Sequence, residues 1–143
     1  MSIIFSRECE YALQAVLYLA LKPEGKATSI RDLTKRLNIP YHFLGKILQH
    51  LTRKGLLASV KGPSGGFALA KPSKNITLFD VVEAIDGESF MRGCVLGFVE
   101  CSQENPCALH AQWKKSRDGI FDILSRKNIG QLGSRMRKPQ YRS

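Results

Sequence analysis

The sequence predicts a mainly α fold with one small β-hairpin: a winged helix-turn-helix unit followed by a long helix. Three patterns predict it. Apolar residues recur at helical spacing in five separate segments, two of those segments are joined by about three residues, and a glycine-rich turn lies between short β-prone runs directly after them.

Residues 8–21 hold no Gly or Pro and are apolar on nearly every side, which suits a helix buried on most faces, and Pro23 and Gly25 end it. Ser29 and Asp32 have the spacing of a capping box and open a second helix with inward positions Ile30, Leu33 and Leu37, broken at Asn38. Pro40 suits the first position of a third helix, in which Leu44, Ile47, Leu48 and Leu51 repeat at i, i+3, i+4 and i+7 as far as Gly55. Opposite those apolar residues the pattern places Tyr41, His42, Gly45, Lys46, Gln49 and Arg53, a face of cationic and hydrogen-bonding groups without an acidic residue. An ordinary solvated helix face has the same polarity, so the segment after the third helix decides between the two.

Residues 57–61 read as a strand, 62–66 as a tight loop and 67–69 as the returning strand. Glycines at 62, 65 and 66 allow backbone N–H groups to approach a phosphate, and Lys61 at the rim is placed to contact phosphate or enter a minor groove. Many hairpins need glycine only for positive φ. Directly after a helix-turn-helix, however, such a hairpin is a wing. Thr77 and Asp80 then cap a short helix carrying Leu78, Val81, Val82 and Ile85 and closing at Gly87. Leu109, Trp113, Ile120, Phe121 and Leu124 recur at helical spacing as far as about Ser125. That helix needs a partner, either the first helix of the same chain or a second copy, and two-fold pairing is the preferred expectation.

Lys plus Arg number 22 against 12 Asp plus Glu, and the resulting +10 favours a polyanion such as nucleic acid. The chain is 43% hydrophobic and 24% charged, and no apolar run approaches the ~20 residues of a membrane span. No secretory pattern opens it, so the cytoplasm is the expected compartment. Neither a base–nucleophile pair nor a phosphate-binding strand–loop–helix motif nor paired carboxylates are apparent, which makes an enzyme the least expected class.

Residues 88–107 show no sustained periodicity and carry three of the four cysteines, Cys94, Cys101 and Cys107, at C-x6-C-x5-C spacing, with His110 three residues beyond the last. In a reducing compartment these are metal ligands or a redox switch rather than a disulfide framework. Structural zinc sites favour tighter knuckles, whereas wider spacing lets three thiolates splay around an iron–sulfur cluster and leaves one iron for another ligand. A thiol switch, a Cys3His zinc site and incidental cysteines stay open on spacing alone. Cys9, in an apolar helix, reads as a small buried side chain.

Several segments together resemble the bacterial winged-helix regulators of the IscR and NsrR type. They are Glu10-Tyr11-Ala12-Leu13, Lys54-Gly55-Leu56-Leu57, Lys61-Gly62-Pro63-Ser64-Gly65-Gly66-Phe67, Ile76-Thr77-Leu78, Val81-Val82-Glu83-Ala84-Ile85 and the cysteine loop. The resemblance implies a homodimer that binds a double-stranded DNA operator and senses iron–sulfur status, nitric oxide or redox stress through a [2Fe–2S] or [4Fe–4S] cluster. It implies Cys94, Cys101 and Cys107 as cluster ligands, although the first gap is one residue longer than the five often seen. Relatives differ in the remaining ligand. Some use an acidic residue in the first helix of the partner subunit, matching Glu10, and others a histidine matching His110. Glu10 is favoured here, because a ligand from the partner's first helix ties cluster state to helix placement across the dimer. DNA contacts are implied for Tyr41, His42 and Lys46 in the third helix and for Lys61, Ser64 and Gly65 in the wing. Where some relatives carry a glutamate used in operator discrimination, this chain has Gly45.

The expected organisation is therefore a DNA-binding winged helix-turn-helix over 1–87, a cluster-binding loop over 88–107, a dimerisation helix over 108–125 and a basic tail over 126–143. The tail carries six basic and no acidic residues, and is expected to be disordered. The function expected is a regulator whose operator affinity follows the cluster, with a metal-free thiol-based redox sensor as the alternative.

Overall fold

A computed structural model of the chain describes residues 4–87 and 93–135. Helix α1 (Arg7–Ala20) starts at Ser6, whose hydroxyl accepts the Cys9 N–H at 3.1 Å, and Glu8 and Glu10 stand in its first turn, where the helix dipole favours negative charge. Helix α2 (Ile30–Leu37) starts where the Ser29 hydroxyl accepts the Asp32 N–H at 3.1 Å. It stops at Asn38, whose φ of 55° is a conformation that Asn tolerates better than most residues. Helix α3 (Tyr41–Arg53) begins one residue after Pro40, whose carbonyl accepts the Leu44 N–H at 2.9 Å. Leu44, Ile47, Leu48 and Leu51 are buried as the 3.6-residue period requires, and they close on Ala15 and Val16 of α1 and on Leu33 and Leu37 of α2 in one core.

Strands β1 (Leu57–Val60) and β2 (Gly66–Leu69) pair antiparallel, with Leu57 opposite Leu69 and Val60 opposite Gly66. The hairpin is tied to the helix-turn-helix by Thr28, which exchanges two backbone hydrogen bonds of 2.9 Å with Phe67. That exchange brings backbones so close that a Cβ on Gly66, which has φ 145°, would stand 2.1 Å from the Thr28 carbonyl oxygen. Only glycine fits there, so the wing's position relative to α2 depends on it. A short 3-10 turn (Ser73–Asn75) leads to α4 (Leu78–Asp86), opened by a reciprocal capping box between Thr77 and Asp80.

Helix α5 (His110–Arg126) finds part of its packing within the chain. Phe121 meets Phe79 of α4 edge to face at 4.8 Å, and Leu124 is buried in a second cluster with Val82 and Cys9. Cys9 is thus a buried side chain, as its setting in the sequence suggested. Ile123 of α5 is 66% exposed.

The expectation of disorder from residue 126 onward is corrected for its first part. Helix α6 (Ile129–Arg135) lies there, with Ile129 fully buried in the main core and its N–H donated to the Ile76 carbonyl at 2.8 Å. Asn128 and Gln131 cap it reciprocally: the Gln131 N–H reaches Asn128 Oδ1 at 2.8 Å, and the Asn128 N–H reaches Gln131 Oε1 at 3.2 Å. Gly133 is buried where α6 packs against α1, and a Cβ there would stand in ordinary contact with Ala20 Cβ, at 3.5 Å. High charge raised the expectation of disorder, but one isoleucine at a capped helix start supplies the apolar burial that such a segment usually lacks. Residues 136–143 of the expected tail and 88–92 of the expected loop lie outside the described residues.

Candidate functional site

The cysteine segment is shaped by local hydrogen bonds rather than by a core of its own. At its start, the Gly93 carbonyl accepts from Trp113 Nε1 at 3.2 Å and from Arg117 Nη1 at 3.4 Å, which fastens it to α5. Gly97, with φ 84°, closes a turn by donating its N–H to the Cys94 carbonyl at 3.0 Å. Ser102 and Asn105 close a second turn, and the His110 N–H donates to the Cys107 carbonyl at 3.2 Å as α5 begins.

These turns bring Cys94, Cys101 and Cys107 together, with their sulfur atoms all within 4.8 Å of one another. Cys94 Sγ and Cys107 Sγ are 3.5 Å apart, and His110 Nδ1 lies 3.4 Å from Cys101 Sγ. Among the described residues this is the one group of three or more His, Cys, Asp or Glu side chains able to share an ion. Of the two candidates for the remaining ligand, the chain brings its own His110 to the thiols, whereas its own Glu10 is not in the group. Desolvation works against a Cys94 thiolate but is outweighed by the backbone N–H groups of Phe98 and Leu96 and by the neighbouring thiols, which hold Cys94 down at about 7. Cys107 moves the opposite way: desolvation and the nearby sulfurs raise it, against the pull of the Leu109 backbone N–H.

The donor set suits a thiophilic group. Three thiolates with an adjacent imidazole match iron–sulfur or zinc ligation, and N–H groups on a ligand sulfur are a known way of tuning a cluster. A second observation agrees. Arg117 lines the same cavity as the three cysteines and His110, and its Nε is buried with no hydrogen-bond partner. An unpaired cationic donor beside three sulfurs is satisfied by an anionic group placed between them.

On the helix-turn-helix, Tyr41, His42 and Lys46 are exposed along the outer side of α3, and Lys61 and Ser64 are exposed in the turn of the wing, with Gly65 half-buried beside them. Gly45 is half-buried, and a Cβ there would stand 3.4 Å from Ile30 Cδ1, so this part of the outer side borders the start of α2. One feature was not apparent from the sequence. A hollow beside α3 is lined by Arg7 and Tyr11 of α1 together with Pro40, His42, Phe43 and Lys46.

Comparison with known proteins agrees with this architecture. The Rrf2 family, iron-dependent transcriptional regulators, matches residues 5–135. The chain is 36% identical over 132 residues to a sequence of Aquifex aeolicus assigned as an HTH-type transcriptional regulator, covering 91% of each. It is 30% identical over 122 residues to the HTH-type transcriptional regulator IscR of Escherichia coli, covering 85% of this chain and 75% of that one. Among solved structures, CymR, the global cysteine regulator of B. subtilis, superposes with a TM-score of 0.78 at 24% identity, covering 94% of this chain and 99% of CymR. The T. potens IscR superposes with a TM-score of 0.77 at 20% identity, covering all of this chain and 95% of that one. These two likenesses show the winged-helix fold. No helix among the described residues is long and apolar enough to cross a membrane. With the family match running from residue 5 to residue 135, the chain belongs to the Rrf2 family of DNA-binding transcriptional regulators, which are not enzymes.

Proposed function

We propose that this regulator acts in the cytoplasm as a homodimer whose affinity for a DNA operator is set by an iron–sulfur cluster held by Cys94, Cys101 and Cys107. His110 of the same chain is the fourth donor, in preference to Glu10 of the partner subunit. The observation that carries the reading is the convergence of three thiols, one held at a pKa of about 7, beside an imidazole and an unpaired arginine donor. When bound, the cluster supplies a centre that reacts with nitric oxide and oxygen. The protein's part is to hold the sulfurs and to change shape with occupancy. A cluster alters operator occupancy only through differential affinity for the DNA-competent arrangement. A differential of 1–3 kcal/mol corresponds to about a 5–150-fold change.

Protein purified without air is expected to be brown and to carry about two or four irons per subunit, and Cys→Ala at 94, 101 or 107 is expected to bleach it. His110→Ala is expected to leave a labile cluster, whereas Glu10→Ala is expected to leave it intact. Operator affinity is then compared with and without the cluster. Colourless protein with bound zinc, or affinity indifferent to the cluster, refutes the proposal.

A second reading has its own observation, the 3.5 Å between Cys94 Sγ and Cys107 Sγ. In a metal-free protein, a peroxide would oxidise the Cys94 thiolate to a sulfenic acid, and Cys107 would displace water to form a disulfide. Mass spectrometry of peroxide-treated protein tests it: a Cys94–Cys107 linked peptide supports this reading, and its absence removes it.

A further inference from the structure

We propose that the hollow between the first turn of α1 and the start of α3 is a binding site for the sugar–phosphate backbone of DNA, with Arg7 as its principal cation. The proposal rests on the operator-binding reading and extends the DNA interface from α3 and the wing to α1. Three observations carry it.

The rim carries the cations Arg7 and Lys46 and lies on the same side as the outer face of α3. Arg7, His42 and Lys46 all line the hollow, and all three are exposed. His42 and Lys46 stand on the outer side of α3, so Arg7 shares the surface that a duplex in contact with α3 must meet. The floor is aromatic. Tyr11 and Phe43 meet edge to face with ring centroids 5.5 Å apart, and Phe43 stays 39% exposed instead of joining the core. The guanidinium is also aimed in advance, because Arg7 Nη1 donates to the Tyr11 hydroxyl at 3.3 Å. A deoxyribose–phosphate unit presents an apolar sugar face beside two anionic oxygens. The Tyr11–Phe43 floor takes the former and the planar fork of Arg7 the latter, with little side-chain freedom left to lose.

The site also occupies a connecting position. The turn that carries Arg7 is pinned at Ser6, which donates both its N–H, at 2.9 Å, and its hydroxyl to the carboxylate of Asp86. Asp86 is the last residue of α4, from which the chain continues toward Cys94. A backbone contact at Arg7 therefore lies one residue from a tie to the element that precedes the cysteines.

The test measures fluorescence anisotropy on a duplex recovered from a random-sequence pool by the wild-type protein, over a range of KCl concentrations. Arg7→Ala is expected to weaken binding about 10-fold or more, as loss of a charge-assisted hydrogen bond does. It is also expected to reduce the slope of log affinity against log salt by about 0.9 for each subunit, without changing which bases are preferred. Arg7→Lys is expected to retain the slope with reduced affinity, since the point charge stays and the fork is lost. Tyr11→Phe is expected to do the same, since only the aiming hydroxyl is removed. Arg7 is exposed, so circular dichroism is expected to report a folded protein in every case. Wild-type affinity and slope for Arg7→Ala overturn the proposal while leaving operator binding intact. A changed preference at one base pair overturns it too, by making the hollow a base-reading site. Failure of the wild-type protein to recover any duplex overturns operator binding and this proposal together.

Discussion

Replacing Ile129 by alanine tests whether the short helix after residue 128 is part of the folded core. Ile129 is fully buried, and its N–H already satisfies the Ile76 carbonyl, so the substitution leaves the hydrogen bond and removes only side-chain carbon. Three buried carbons at about 0.8 kcal/mol each amount to roughly 2.4 kcal/mol, and a residual cavity brings the cost to about 3 kcal/mol, inside the 2–5 kcal/mol span of such truncations. For a chain of this size each kcal/mol lowers the melting temperature by about 3–4 °C, so a fall of roughly 10 °C is expected. Thermal melts followed by far-UV circular dichroism measure it, with a chain ending at Lys127 as a companion that should fall at least as far. A melting temperature within about 2 °C of wild type refutes the reasoning, because a solvated tail contributes nothing to a cooperative transition.

Further outcomes are expected elsewhere in the molecule. Gly66→Ala places a Cβ 2.1 Å from the Thr28 carbonyl oxygen, so the wing must move; operator affinity is expected to drop at least tenfold with helical content retained, read by anisotropy and circular dichroism on the same samples. In reduced, metal-free protein the alkylation rate of Cys94 by iodoacetamide is expected to rise as pH passes through about 7 and to level off above it, because the thiolate is the reactive form, while Cys107 reacts only at higher pH. Cys9 is raised from 9.0 to about 12, chiefly by desolvation and then by the Asp86 carboxylate. Folding therefore favours the protonated thiol, and its contribution to stability is complete below about pH 9 and lost as pH climbs toward 12. Urea midpoints of wild type and Cys9→Ala are expected to converge over that window; parallel curves would show that Cys9 does not titrate with folding.

Local chemistry made much of the helix-turn-helix legible. Leu44, Ile47, Leu48 and Leu51 announce the buried side of α3 because helical periodicity is a property of the chain itself, and Thr77 with Asp80 announces the start of α4 for the same reason. The start of α6 carried an equally local signal, Asn128 and Gln131 flanking Ile129, and it was outweighed by the basic composition around it. Gly45 shows the opposite limit. A glycine has no side chain to reveal its direction, and only the packing of α2 against α3 brings this position within reach of Ile30.

What the sequence by itself determined is the class of element at each segment as far as residue 126, the wing glycines, the basic composition and the presence of three thiols with a histidine nearby. Tertiary structure alone decided that those thiols converge, since spacing along a loop specifies reach but not direction. It also placed His110 rather than the chain's own Glu10 at their side, and put Arg7 next to His42 and Lys46 across α1 and α3. The physical reason is common to all three. Periodicity, caps and turns are written within a few residues, whereas a site is assembled from groups far apart in the chain, and its geometry exists only once the helices have packed.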